Sequence, residues 1–302
     1  MSDALLKNPY ALFEDRADPE VPTATLQIYE FIGNYLERSK DTHVNRASSA
    51  TMCFKRRWFQ KNGHEGAPLT PRKMVNFLLG DLSERSMLYF IAQACVGPGK
   101  LYSEIDLGEI TGAIHFQGKE IKIYKQDDLE ADLDGIKITA HVEGFGKRNS
   151  DGKWELIECK SAANYGFSDF KETGPKDYLK QAHVCLMTSK AKTLQATQVR
   201  YFYLRKETGH LWDRLFTFDE ELAKEVIADF KVSNQKEEPK APFLLVEEKF
   251  RGKPTGRKIA NFPCTYCPYL EKCHGKHDLD WKADQHGFLK PIYVFEAKDK
   301  NK

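Results

Sequence analysis

Residues 136–163 constrain the fold of this chain more than any other stretch. Two apolar-rich runs, 136–145 and 154–159, flank a polar segment that contains the pair Asp151-Gly152. An Asp-Gly pair between two strand-like runs is a strong short-range signal for a β-hairpin. We therefore expect two antiparallel strands joined by a short turn.

The length of this turn decides which residues of the hairpin lie opposite each other. A two-residue loop at 151–152 places Glu143 opposite Lys160. A loop at 150–151, or a four-residue loop centred there, places Glu143 opposite Glu158. Because side chains alternate between the two faces of a strand, every one of these registers puts Glu143, Glu158 and Lys160 on the same face.

Two carboxylates and one ammonium on the same strand face need a physical reason, because such groups rarely lie together in a core. One interpretation is a solvated sheet face with an ordinary cross-strand Glu–Lys pair. The other is a site for Mg²⁺ or Mn²⁺ that hydrolyses phosphodiester bonds, in which Glu143 and Glu158 hold the metal ion and Lys160 acts on the attacking water. Cys159 faces the opposite side of the strand, and its carbonyl oxygen is a further candidate ligand.

Composition places the chain among globular proteins. Its 302 residues, of which 41% are hydrophobic, can bury one large core or two small ones. The formal net charge of +2 means that any binding of nucleic acid would depend on local patches. The sequence contains no apolar run near the roughly 18 residues that span a membrane, and its first residues do not resemble a secretion signal. We therefore expect a cytoplasmic protein without membrane association.

The chain divides into five regions by pattern. They are a leader at 1–22, a helical region at 23–99, a core at 100–232, a cysteine-rich segment at 233–280 and a frayed tail at 281–302. The helical region contains apolar residues at helical spacing over 25–39 and a long helix that begins at Thr70-Pro71, with Leu79 and Leu82 on its apolar stripe. The core is rich in strands with a helix inserted, which predicts an α+β or α/β fold with a mixed sheet.

Two further elements are predicted within the core. A helix follows the second hairpin strand over 175–190, and a second hairpin is formed by 199–204 and 212–218. Thr217 with Glu220 fits a capping box for the helix that comes next.

The cysteines indicate a metal centre. Seven cysteines in a chain without a secretion signal argue against a disulfide framework. Cys264 and Cys267 form C-x2-C, Cys273 follows, and these thiolates can converge on one centre for which Cys53 is the candidate fourth ligand. Spacing alone does not identify the metal, and zinc, with a histidine as a possible ligand, stays an alternative.

A basic stretch follows the first of these cysteines directly. Lys55, Arg56, Arg57 and Trp58 combine positive charge with an aromatic platform, as in surfaces that bind single-stranded DNA. A solvated charged face is the alternative interpretation.

Three short motifs occur in a family order. They are AHVEG at 140–144, ECK at 158–160 and QAHVC at 181–185. Together with the cysteines they resemble the G-x-(I/V)-D-G, E-x-K and Q-x-x-x-Y motifs of the RecB-like branch of the PD-(D/E)XK nuclease superfamily. The match is closer to its iron–sulfur subgroup, which includes CRISPR-adaptation exonucleases and their phage-encoded relatives. The resemblance covers Ser48 to Gly275.

The resemblance implies a restriction-endonuclease-like core with a mixed central sheet, a helical N-terminal elaboration and a C-terminal iron–sulfur segment. It implies a metal-dependent DNA nuclease, an exonuclease on DNA ends or single strands, in which Gln181 supports the positioning of the substrate or of Lys160. It also implies partners in recombination, replication or CRISPR adaptation. The resemblance further implies a structural [4Fe–4S] cluster, whose ligands would be Cys53, Cys264, Cys267 and Cys273.

Three residues depart from the family motifs. Glu143 replaces an aspartate, Cys185 replaces a tyrosine, and Ser83 replaces the histidine of G-x-x-H-E, where Asp81 or Glu84 could compensate. The departures leave two alternatives open. One is a catalytically degenerate, DNA-binding relative that acts with partner proteins, and the other is a zinc-stapled protein without enzymatic activity.

Overall fold

The computed structural model describes most of the chain from residue 45 onward. The described residues are 45–67, 71–162, 170, 174, 176–243, 245–250, 253–260, 264, 267–275, 278–283 and 289–295. The predicted leader, the helix at 25–39 and Thr70 lie outside them.

The described residues form two compact units. Residues 45–51 and 71–230 belong to the first unit, and residues 52–67 and 231–295 belong to the second. The helical region expected at 23–99 is therefore divided, because the segment that carries Cys53 groups with the cysteine-rich end of the chain rather than with the long helix.

The elements are numbered in chain order. A 3₁₀ turn at Ala47–Thr51 is followed by helices α1 (Phe54–Lys61), α2 (Pro71–Ala94), α3 (Lys176–Leu186), α4 (Ser189–Thr193), α5 (Glu220–Asn234) and α6 (Leu270–His274). The strands of the first unit are β1 (Tyr102–Asp106), β2 (Ile110–Phe116), β3 (Lys119–Tyr124), β4 (Asp127–Leu133), β5 (Ile136–Val142), β6 (Gly144–Arg148), β7 (Trp154–Ala162), β8 (Gln198–Arg205) and β9 (Leu211–Thr217). Those of the second unit are β10 (Val246–Phe250), β11 (Lys253–Ile259), β12 (Asp278–Ala283) and β13 (Leu289–Phe295).

A mixed five-stranded sheet organises the first unit. Its strand order is β1-β6-β7-β8-β9, in which β7 and β8 are parallel and the other neighbours are antiparallel. The parallel pair requires a crossover, and α3 and α4 lie in that connection. The prediction of a mixed α and β core is confirmed, as is the hairpin of β8 and β9.

The β6–β7 hairpin has the register of the longer turn. Gly144 pairs with Ile157, and a loop at 149–152 is closed where Arg148 N donates to Lys153 O over 2.9 Å. Continuing this register places Glu143 opposite Glu158, which was one of the two expected arrangements.

The sequence suggested that the apolar run at 136–145 forms one strand, but the structure divides it into two. It divides at Glu143, because β5 pairs with β4 whereas β6 pairs with β1 and β7. Gly144 permits a close approach at this point, since a Cβ atom there would lie 2.7 Å from the carbonyl oxygen of Asp106. The division leaves Glu143 at the junction of two strands.

The two faces of the central sheet bury different clusters. One face packs against α3, α5 and the β4–β5 hairpin, and its buried residues include Leu156, Tyr201, Tyr203, Ala182, Cys185, Val226 and Phe230. The opposite face packs against α2, and its buried residues include Ile157, Cys159, Met87, Leu88 and Ile91. Tyr201 and Tyr203 are fully buried in the first of these clusters.

The apolar stripe predicted for α2, which also includes Val75 and Leu78, is not the most buried face of the helix. Val75 and Leu78 are partly exposed and Leu79 and Leu82 are about half exposed, whereas Met87, Leu88 and Ile91 in the C-terminal half are buried. The reason is that the C-terminal half of the helix packs on the sheet, a tertiary contact that helical periodicity alone does not reveal.

Two helix boundaries differ from the sequence predictions. The helix expected over 175–190 ends at Leu186, and a new helix begins after Thr188, whose hydroxyl accepts from Ala191 N over 3.4 Å. Asp219 rather than Thr217 caps α5, because its Oδ1 atom accepts from Glu221 N and Leu222 N over 2.8 and 3.1 Å.

The second unit contains α1, α6 and a four-stranded sheet of order β10-β11-β13-β12. The tail expected from 281 onward is partly ordered, because β13 pairs with both β11 and β12. Among the described residues, no helix has the length and apolar character to cross a membrane.

Candidate active site

The ammonium group of Lys160 lies among three carboxylates in the first unit. Its Nζ atom lies 2.8 Å from Glu158 Oε1, 3.5 Å from Glu143 Oε1 and 3.8 Å from Glu84 Oε2. Glu143, Glu158 and Lys160 are buried, and Glu84 is partly exposed. The solvated Glu–Lys pair that was one interpretation of this hairpin is therefore wrong.

Four elements position the members of this cluster. Glu158 and Lys160 lie two residues apart on β7, Glu143 lies at the junction of β5 and β6, and Glu84 lies on α2. Gln181 approaches from α3, and its Nε2 atom donates to Glu158 Oε1 over 3.1 Å. The structure thus brings together all four side chains that the sequence predicted for the catalytic site.

Backbone groups hold the cluster in place. The amide of Cys159 donates to Glu143 Oε2 over 2.5 Å, and Lys160 Nζ donates to the carbonyl oxygen of Cys159 over 2.9 Å. The thiol side of Cys159 is buried in the core on the opposite face of the sheet, as expected. Its carbonyl oxygen, the expected metal ligand, accepts a hydrogen bond from Lys160.

The cluster carries more negative than positive charge, and this affects its titration. Burial raises the pKa of Glu143 well above its usual value, and the neighbouring Glu158 and Glu84 carboxylates raise it further against the opposing effect of Lys160. Burial also raises the pKa of Glu84. Although burial lowers the pKa of Lys160, the three carboxylates outweigh it and raise that pKa well above the usual value, so the ammonium form is stabilised.

The donor chemistry of the cluster suits a hard divalent cation. All three acidic side chains offer carboxylate oxygens, the ligands that Mg²⁺ and Mn²⁺ prefer. Oε2 of Glu158 is buried and has no hydrogen-bond partner among the described residues, which leaves it available as a ligand. In the described part of the chain, no group of three or more His, Cys, Asp or Glu side chains is placed to hold a metal ion. In this cluster, Lys160 lies among the carboxylates.

The structure shows where the residues that differ from the family motifs lie. Ser83 turns back to its own helix, where its Oγ atom donates to Leu79 O over 2.6 Å. Of the two candidate replacements, Asp81 pairs with Arg85 over 3.0 Å, whereas Glu84 reaches Lys160. Cys185 is fully buried in the core beneath the site.

The sequence predictions missed one aromatic residue near Lys160, Tyr178. The ring centroid of Tyr178 lies 5.7 Å from Lys160 Nζ, within the range of a cation–π contact. Its position three residues before Gln181, on the same face of α3, was the available signal.

The four cysteines predicted as cluster ligands all belong to the second unit. Burial raises the pKa of Cys264 to about 12, with further contributions from Cys267, Cys53 and Cys273. Cys267 N donates to Cys264 O over 3.0 Å, and Cys264 Sγ lies 3.8 Å from His274 Nε2. The other three thiols therefore lie within electrostatic range of Cys264, although the described residues do not place the four cysteines as ligands of one metal ion.

The basic stretch at 55–58 is largely buried within the second unit, which differs from the predicted DNA-binding surface. Lys55, Arg57 and Trp58 are each less than a tenth exposed. Lys55 pairs with Glu238 over 2.7 Å, and Trp58 Nε1 donates to Gln235 O over 3.0 Å. Arg56 is partly exposed. The side chains expected to face DNA are therefore used mainly for packing inside the unit.

Comparison with known proteins finds weak similarities of structure and none of sequence. No protein-family model matches the chain, and no curated protein matches it. The crystal structure of SSO0001 is 13% identical, with a TM-score of 0.45 over 84% of this chain and 98% of that one. An alkaline exonuclease from Laribacter hongkongensis, LHK-Exo, is 14% identical, with a TM-score of 0.36 over 64% of this chain and 86% of that one. LHK-Exo in complex with dAMP is 14% identical, with a TM-score of 0.38 over 68% and 89%. Scores of this size do not establish a shared fold, so the functional assignment depends on the site residues.

Proposed function

We propose that the chain is a divalent-metal-dependent deoxyribonuclease of the PD-(D/E)XK type. The observation that supports this function is the buried cluster in which Glu84, Glu143 and Glu158 surround Lys160. Within the described residues, one carboxylate oxygen of Glu158 is left without a hydrogen-bond partner. Buried clusters with excess charge and perturbed pKa values are typical of catalytic sites. The order of the motifs along the chain supports the family.

Each residue of the cluster has a distinct task in this proposal. Glu143, Glu158 and the carbonyl oxygen of Cys159 would hold Mg²⁺ or Mn²⁺, and Glu84 would supply a carboxylate oxygen in place of the imidazole nitrogen that the family takes from histidine. The amide of Cys159 fixes the carboxylate of Glu143, and Gln181 fixes that of Glu158. The ion, when bound, would neutralise charge on the phosphate and lower the pKa of water.

Lys160 contributes positive charge rather than a base. Its raised pKa keeps the side chain in the ammonium form, which can donate to the attacking water and stabilise charge that develops on the phosphate. Replacement of Lys160 by alanine removes this charge and leaves three carboxylates uncompensated.

Cleavage assays test the proposed activity directly. Single-stranded and duplex oligonucleotides are incubated with Mn²⁺ or Mg²⁺, and the variants Lys160→Ala and Glu158→Gln are compared with Lys224→Ala and Glu130→Gln, whose side chains are exposed. We expect metal-dependent products from the wild type and both controls and a loss of at least about 100-fold in the two site variants. DNA binding without cleavage in any metal would instead identify a degenerate relative.

We also propose that Cys53, Cys264, Cys267 and Cys273 hold a [4Fe–4S] cluster that stabilises the second unit. The support is the order of the four cysteines along the chain, their place in one unit, and the effect of Cys267, Cys53 and Cys273 on the pKa of Cys264. Protein purified without oxygen should be brown and contain iron and sulfide at about four each per chain. Cys264→Ser should lose the colour, whereas Cys95→Ser, a cysteine of the first unit, should keep it. Colourless protein with stoichiometric zinc would contradict the cluster.

A further inference from the structure

Exposed aromatic side chains lie on both helices that carry residues of the site. Tyr178 on α3 is 37% exposed, and Phe77 on α2 is 61% exposed. Large aromatic side chains contribute most to binding when a ligand buries them, so exposed ones beside a site are candidates for contact with a ligand.

Tyr178 is held rigidly next to Lys160. Its ring centroid lies 5.7 Å from Lys160 Nζ and 5.6 Å from the ring of Phe170, with an interplanar angle of 21°. Its carbonyl oxygen accepts from the hydroxyl of Tyr201 over 2.7 Å. The backbone and one ring contact are therefore fixed, while more than a third of the side chain stays open to solvent.

Phe77 lies on the same stripe of α2 as Glu84. Seven residues correspond to almost two full turns, so both side chains project in nearly the same direction, about 10 Å apart along the helix axis. Phe90 lies on the same helix and is almost as exposed, at 56%, but six residues from Glu84 place it on another side. Phe77 is thus an exposed aromatic on the active-site side of α2, and Phe90 provides a matched comparison.

We propose that Tyr178 and Phe77 stack on unpaired bases of the DNA strand whose scissile phosphate lies at the metal site beside Lys160. This inference rests on the proposed nuclease function and assigns the base contacts of its substrate to these two residues. Aromatic faces bind any unpaired base, whereas bases inside a duplex are already stacked on their neighbours. The cationic Lys160 beside Tyr178 places the phosphate close to the stacked base.

Binding with Ca²⁺ in place of Mn²⁺ tests the stacking separately from cleavage, because a hard cation neutralises the carboxylates of the site. Fluorescence anisotropy in Ca²⁺ measures the affinity of the full chain for a labelled thymidine oligonucleotide, for the same oligonucleotide with abasic residues near either end, and for a blunt duplex, and a gel run after each titration checks that the oligonucleotides are intact. We expect wild type to bind the intact single strand about 10-fold more tightly than the abasic strands. Tyr178→Ala and Phe77→Ala should each lose much of this preference, and Tyr178→Phe and Phe90→Ala should retain it.

The outcomes separate this inference from the proposed function. If wild type binds intact and abasic strands equally, or if Tyr178→Ala and Phe77→Ala bind both as wild type does, the stacking proposal is overturned. If base-dependent binding is present but Mn²⁺ produces no cleavage of the same oligonucleotides, the nuclease function fails and the stacking stands. If Phe90→Ala loses as much of the preference for the intact strand as Phe77→Ala does, the proposal is also overturned, because the loss would then be an unspecific effect of changes in α2.

Discussion

Gln181 donates from Nε2 to Oε1 of Glu158 over 3.1 Å, and the same oxygen lies 2.8 Å from the ammonium of Lys160. One carboxylate oxygen is therefore fixed from two sides, while the other has no hydrogen-bond partner in the described part of the chain. This asymmetry orients Glu158 for a ligand at its second oxygen. Residues that orient a metal-binding side chain often matter nearly as much for metal affinity as that side chain itself.

Gln181→Ala should therefore lower the rate of DNA cleavage by about 10- to 100-fold, because Glu158 loses one of the groups that orient it. The apparent Mn²⁺ affinity should weaken in parallel, which a titration of the cleavage rate with Mn²⁺ measures. Gln93→Ala, an exposed position on α2, is the control and should behave as wild type. An unchanged Mn²⁺ titration in Gln181→Ala would show that the amide has no orienting role.

Glu84→Gln should also weaken the apparent affinity for Mn²⁺, since Glu84 is the carboxylate of α2 that reaches the cluster. We expect the Mn²⁺ concentration for half-maximal cleavage to rise about 10-fold or more. Asp81→Asn is the matched control, because Asp81 lies one turn earlier and pairs with Arg85 at the surface. The opposite ranking of the two variants would identify Asp81 as the functional replacement for the motif histidine.

Much of the candidate site could be predicted because it depends on strand alternation. The Asp-Gly signal fixed a hairpin, and alternation of side chains then placed Glu143, Glu158 and Lys160 on one face in every possible register. Gln181 followed from the family order of motifs. The choice between registers needed the closure of the loop at 149–152, which depends on the hydrogen bond between Arg148 and Lys153.

Features that depend on tertiary contacts could not be predicted in the same way. The apolar positions of α2 were visible in the sequence, yet only the packing of Met87 and Leu88 on the sheet shows which face is buried. The burial of Lys55 within the second unit depends on Glu238, which lies far along the chain. Periodicity and local charge carry no information about such partners.

Tyr201 and Tyr203 provide a matched pair for a stability prediction. Both are fully buried on β8, but the hydroxyl of Tyr201 donates to Tyr178 O over 2.7 Å, whereas that of Tyr203 has no partner among the described residues. Tyr201→Phe should destabilise the fold by about 1 kcal/mol, because it leaves the carbonyl of Tyr178 without this donor.

Tyr203→Phe should leave stability unchanged or raise it, because it removes a buried hydroxyl that lacks a partner. Urea denaturation followed by circular dichroism measures both free energies of unfolding. A loss in Tyr203→Phe equal to that in Tyr201→Phe would mean that the hydroxyl of Tyr203 does have a partner, such as an ordered water molecule.

His183 makes the stability of the first unit depend on pH. The imidazole is buried, its Nδ1 atom lies 2.6 Å from Leu179 O, and its Nε2 atom accepts from Asp219 N over 2.8 Å. Nδ1 therefore carries the proton of the neutral ring. Burial lowers the pKa of His183 below its usual value of 6.5, against smaller opposing effects of Leu179 and Asp219.

Since the unfolded chain then binds the proton more tightly than the folded one, the contribution of His183 is fully present above about pH 6.5 and is lost as the pH falls toward the lowered folded-state value. Urea denaturation of wild type and His183→Gln at about pH 8 and about pH 5.5 tests this. The variant should be less stable at the higher pH but lose less stability on acidification than wild type. His210→Gln, an exposed control, should follow wild type at both values. If His183→Gln loses as much stability on acidification as wild type, protonation of His183 does not couple to unfolding.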